Sequence, residues 1–267
     1  MNSTRPLSSY TWWPLFALLG VVVIAMLLPT QMIRVFDLVG YAVCHRIPER
    51  SFIISGIQLP LCARDTGMFS GALLGMLSFA ILQRTRPALF PRRPFLFAFI
   101  LFFLAWGFDG FNSYMYLLQG QTFIYMPANW LRLTTGAFMG VTLSTFVVPL
   151  FNSAVWTPSL TVLESSVTSW RTVARLAAIA LGIIVVVLWQ PPFLYGPIAV
   201  ISSMGVIALL MVVNALLVIL IMKRESRTER WSQLWLPLLA GIFFTVTELL
   251  IIDIARAALT QQFNLPY

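Results

Sequence analysis

Apolar runs about as long as a bilayer is thick recur along this chain, separated by short polar stretches. That pattern predicts membrane-crossing helices over 11–29, 66–83, 95–117, 131–150, 172–189, 198–222 and 235–257. Each is close to the ~20 residues a helix needs to cross a hydrocarbon core. Trp12, Trp13, Trp130, Trp189 and Trp235 sit at or near the ends of these runs, where amphipathic rings prefer to lie. The stretch VFDLVGYAV (35–43) is apolar but too short to span, so it is expected as an interfacial or re-entrant helix. Within CHRIPERSFIISGIQLPLCARDTG, a Ser55-Gly56 pair separates Phe52-Ile53-Ile54 from Ile57-Gln58-Leu59. Two β-prone triplets around such a pair predict a small hairpin, with Pro48 and Pro60 as its limits. The expected fold class is therefore an all-α membrane protein of about seven transmembrane helices with a short Cys/His hairpin segment. It divides into a region of four spans over 1–150 and a three-span region over 151–267.

Composition strengthens this picture. The chain of 267 residues is 59% hydrophobic and only 10% charged, against about 25% charged in soluble domains. The net charge of +8 is almost all arginine, Lys223 being the only lysine. In a polytopic membrane protein such a balance reflects cytoplasmic loops, so nucleic acid is not an expected partner; the bilayer is. The first apolar run follows a weak basic start and lacks a small-x-small cleavage site, so no cleavable leader is expected.

Basic residues also set the orientation. The loop 84–94 holds Arg84, Arg86, Arg92 and Arg93, and the loop 223–234 holds Lys223, Arg224, Arg227 and Arg230. The loops 119–130 and 190–197 hold none. Alternation puts both basic loops on one side, the cytoplasm, with the N-terminus inside. The segment 30–65 then lies outside, in the inner membrane's extracytoplasmic space, yet carries Arg34, Arg46, Arg50 and Arg64. Positive residues there run against the rule and call for a local purpose. Glycines every fourth residue, at 67, 71 and 75 and again at 136 and 140, mark closely packed helices.

The polar segment holds both cysteines and the only histidine. Cys44, His45, Cys62 and Asp65 offer two sulfurs, a nitrogen and a carboxylate, a donor set that suits zinc. A disulfide between Cys44 and Cys62 is equally open; it would close a loop of about 19 residues and stabilise it by roughly 3 kcal/mol. The third reading is two small buried thiols and a capped histidine.

The same residues carry a resemblance. Cys44, His45, Pro48, Arg50, Ser51, Gly56, Pro60, Cys62, Arg64, Thr66 and Gly67, with Asp109-Gly110, Arg132 and Thr135-Gly136 downstream, resemble the pattern of DUF2085, a family of prokaryotic membrane proteins of unassigned function. The likeness covers roughly 35–145. It implies a membrane protein and no particular activity. One departure stands out: Asp65 replaces the family's third cysteine.

Charges fall inside the predicted spans as well. Asp109, Glu248, Asp253 and Arg256 lie within them, and Arg132 opens one. Ionisable groups at such depth are costly and face the bundle interior or water. Arg132 is the expected partner of Asp109, and Arg256 that of Asp253 at i,i+3; Glu248 has no evident partner. All but Glu248 fall at the level of the polar segment. The expectation is an outer-face pocket that binds a metal ion or a small anion, with Arg50, Arg64, Asp109 and Arg132 around the ligand. The alternatives are a thiol-redox enzyme using Cys44 and Cys62, or a structural subunit of a larger membrane complex. A single histidine excludes bis-histidine haem within this chain.

Overall fold

A computed structural model describes residues 13–83 and 85–263. Trp12, Arg84 and the N-terminus, used above as markers, lie outside the described residues. In chain order the helices are α1 (Trp13–Leu27), α2 (Thr30–Ile33), α3 (Phe36–Val43), α4 (Ala63–Leu82), α5 (Arg93–Gln119), α6 (Asn129–Val155), α7 (Trp170–Trp189), α8 (Tyr195–Ile221) and α9 (Trp235–Phe263). Six of them, α4 to α9, are long and apolar enough to cross a membrane. The seventh expected span is shorter: α1 has 15 residues as described, about 22 Å of rise. The short run 35–43 is the helix α3, as expected. Large apolar side chains such as Phe97, Phe103, Ile251 and Ile254 point outward and are exposed. An apolar exterior of this kind suits a lipid solvent, and the protein is a multi-pass, all-α membrane protein.

The bundle is built around α4. Its glycines face those of α6: a methyl group added at Gly136 would collide with the Arg64 carbonyl oxygen, and one at Gly140 with that of Met68. The small-residue rows therefore seat one helix of this chain against another. α8 packs on the other side of α4, and α9 on α8.

The connections segregate to two ends. At one end, the hairpin forms where the sequence placed it: β1 (Ile53–Ile54) pairs antiparallel with β2 (Ile57–Gln58). Ser55 and Gly56 both have positive φ, 53° and 76°, the geometry of the tight turn that matches strand twist. At the other end, β3 (Pro87–Leu89) lies parallel to β4 (Val162–Ser165), which the local pattern did not foretell. There the Arg86 guanidinium lies over the Trp156 ring at 3.7 Å, and Trp156 meets Trp231 edge-on. Both basic loops thus share one end of the bundle.

Two intramembrane expectations are corrected. Glu248 does have a partner: Asn214 Nδ2 donates to its Oε2 at 3.0 Å, and to Thr245 Oγ1 at 3.1 Å. Arg256 does not pair with Asp253. It reaches away from its own helix and donates to the carbonyls of Tyr41 (2.5 Å), Cys44 (2.6 Å) and His45 (3.1 Å), with its guanidinium 4.2 Å from the Tyr41 ring centre. These carbonyls close the C-terminal end of α3, where orphan acceptors and the helix dipole both favour a cation.

Candidate functional site

Two polar clusters form at the hairpin end, on opposite sides of the first turn of α4. The first gathers the thiols. Cys44 ends α3 in an extended conformation (φ −135°, ψ 148°), and Cys62 is the residue before α4. The hairpin folds the chain back so that the Cys62 N–H donates to Cys44 Sγ at 3.3 Å. One helical turn on, Asp65 Oδ2 accepts from Cys62 Sγ at 3.2 Å. The ligand atoms of Cys44, Cys62 and Asp65 all lie within 4.8 Å of one another. Both cysteines are free thiols.

His45 stands apart from this group and is exposed. The reason is local: successive side chains of extended backbone point to opposite faces, so a buried Cys44 turns His45 outward. The thiols are not equivalent. Side-chain contact with the Cys62 thiol draws Cys44 below the ordinary thiol value, against the opposing effect of burial. The same contact, then burial and the nearby Asp65, push Cys62 well above it.

The second cluster surrounds Asp109, which is buried on α5. Its expected partner was Arg132; its actual partner is Arg64, whose Nη2 donates to Asp109 Oδ2 at 2.5 Å. The close approach of α4 and α6 at Gly136 sets where Arg64 stands and sends its side chain toward α5. Thr135 Oγ1 adds a contact to Oδ2 at 3.4 Å, and Tyr125 OH donates to Oδ1 at 2.8 Å. Burial and that bond raise the Tyr125 phenol well above its ordinary value. Arg132 instead donates from Nε to Ser113 Oγ at 3.4 Å and from Nη1 to Asn129 Oδ1 at 2.8 Å. Arg50 Nη2 donates to the Ser113 carbonyl at 3.3 Å.

Sequence reasoning missed Ser113, Tyr125, Asn112 and Asn129. Asn112 and Ser113 carried a signal, being polar residues three and four positions after Asp109 on one helix face. Tyr125 carried none: it is held in a loop whose Ile124 and Tyr125 N–H groups donate to Asn112 Oδ1.

Comparison with known proteins places this end of the molecule. Residues 44–146 match the DUF2085 family, described as a predicted membrane protein, which bears out the resemblance read from the motifs. An uncharacterized protein of Methanocaldococcus jannaschii is 27% identical over 114 residues, covering 43% of this chain and 67% of the relative. No solved structure matches. The matched stretch holds both clusters, from Cys44 to Arg132. Arg256, which braces the first cluster from α9, lies beyond it.

Proposed function

We propose that this membrane protein binds a soft divalent metal ion, of zinc's chemistry, through Cys44, Cys62 and Asp65 on its extracytoplasmic face. The observation that carries the reading is the mutual approach of three ligand atoms within 4.8 Å. Tetrahedral zinc–sulfur geometry separates ligands by roughly 3.8 Å, so the set needs only a small contraction. Asp65, which replaces a third cysteine of the family pattern, keeps a donor in the third position. His45 supplies no fourth, and three protein ligands leave one position for water or a bound molecule. Binding would release the protons of both thiols, so affinity rises with pH.

The test is a cobalt titration of the reduced, metal-free protein in detergent. A saturable sulfur-to-cobalt charge-transfer band at one equivalent is expected, bleached by added zinc. Cys62→Ala should abolish it, and Asp65→Asn should weaken binding about 10-fold or more. No saturable band, or one that survives Cys62→Ala, would overturn the reading. A second reading is favoured by the unequal thiols: Cys44 and Cys62 as a dithiol that reduces the disulfide of a partner protein, giving it two electrons and two protons and becoming a disulfide itself. Loss of both thiols on mild oxidation, with no cobalt band in the reduced protein, would select it.

A further inference from the structure

We propose that Arg50, Arg64 and Arg132 form a second site, for a phosphate-like oxoanion, on the side of α4 away from the thiols. Three guanidinium groups reach a single residue. Arg50 donates to the Ser113 carbonyl at 3.3 Å, while Arg64 and Arg132 donate to Ser113 Oγ at 3.2 and 3.4 Å. One carboxylate, Asp109, is in contact with this group, and it is already engaged by Arg64, Tyr125 and Thr135.

Among the described residues the only ion pairs are Arg46–Asp37 and Arg64–Asp109. Arg50 and Arg132 therefore have only neutral oxygens as partners, although Arg132 is 6% exposed. A guanidinium taken out of water without a counter-charge is costly. An incoming anion would supply that counter-charge. Its recognition is prepared in two further ways. The planar fork of arginine matches two oxygens of a phosphate at once. Arg132 lies in the first turn of α6, whose N-terminal end at Asn129 adds its positive dipole end. Arg50, half-buried in the turn before the hairpin, borders the approach. This also accounts for arginines on a side of the membrane that the charge rule leaves poor in them.

The bound group has one chemistry and two sources: free phosphate, or the phosphate of an anionic phospholipid headgroup at the same level of the bilayer. None of the three arginines belongs to the Cys44, Cys62 and Asp65 set, so the substitutions that test one site leave the ligands of the other in place. The experiment uses metal-free protein in neutral detergent and follows thermal unfolding at constant ionic strength. One arm titrates inorganic phosphate against chloride; the other titrates phosphatidylglycerol against phosphatidylcholine in mixed micelles. A saturable rise in Tm is expected in at least one arm. A rise with phosphate identifies the free ion, and a rise with phosphatidylglycerol alone identifies the headgroup. Arg50→Gln and Arg132→Gln should each weaken the apparent affinity about tenfold, the scale of one charged hydrogen bond. Arg50→Gln keeps the test decisive if the buried Arg132→Gln fails to fold. Arg227→Gln, an equal loss of charge at the opposite end, should leave the affinity unchanged. No rise in either arm would overturn the proposal. So would a rise that survives Arg50→Gln, or one that falls equally with Arg227→Gln.

Discussion

Cys44 and Cys62 are chemically identical residues that the fold makes unlike. Their side-chain contact is the largest cause of both departures, lowering Cys44 and raising Cys62. Removing the Cys62 thiol should therefore undo the first. In reduced, metal-free protein, Cys62→Ala leaves Cys44 with burial and the nearby Asp65, which disfavour the thiolate, against only the weaker backbone N–H contacts from positions 46 and 62. The rate of Cys44 alkylation by a small neutral reagent should then rise with pH at a higher midpoint than in the wild type, with slower reaction at neutral pH. A midpoint unchanged or lower would show that the sulfur–sulfur contact does not set the reactivity. At this scale the sequence was informative about which residues matter but not about who meets whom. The motif named Arg64 and Asp109 separately; their pairing depends on how α4 is rotated against α5, and no local pattern encodes that rotation. Asp253 and Arg256 show the same limit. The i,i+3 spacing permits a pair, but the free carbonyls at the end of α3 offer Arg256 three acceptors instead of one.

Helices are where sequence periodicity spoke most clearly. The hairpin turn, the short α3 and the six long spans all follow from local patterns. The glycine rows foretold close packing, and α4 against α6 is that packing. Its consequence reaches the site, because the backbone at Gly136 sits against the carbonyl of Arg64. A methyl group there must push the two helices apart or shift the first turn of α4. Gly136→Ala should lower stability by about 1–3 kcal/mol, as overpacking does, seen as a fall in Tm in detergent. Because the shift falls on Arg64 and Asp65, the same variant should also weaken the cobalt band described above. A Tm equal to the wild type would mean that the helices are not so close. The pairing of β3 with β4 had no such warning: Pro87–Leu89 and Val162–Ser165 are short, far apart in sequence, and joined only because α6 returns the chain to the same end.

For the whole molecule, the decisive question is which end faces the cytoplasm. Backbone bonds tie the basic loops together at one end: Val162 N–H to Arg86, Arg92 N–H to Val167, Ser226 N–H to Ala154 and Thr228 N–H to Val155. Both polar clusters lie at the other, a full length of α4 away, roughly 30 Å for its 20 residues. On the positive-inside rule the loops are expected in the cytoplasm and the thiols on the opposite side. A reporter fused after Arg93 should report a cytoplasmic position, and one fused after Gly120, beyond the 27-residue α5, should not. Equal compartments for the two would mean that α5 does not cross. Exchanged compartments would leave the fold intact but place Cys44 and Cys62 in a reducing environment. A dithiol switch would then lose its oxidant, while metal binding by the same thiols would become easier to sustain. The two fusions therefore test the topology and, with it, which chemistry the thiol pair is free to perform.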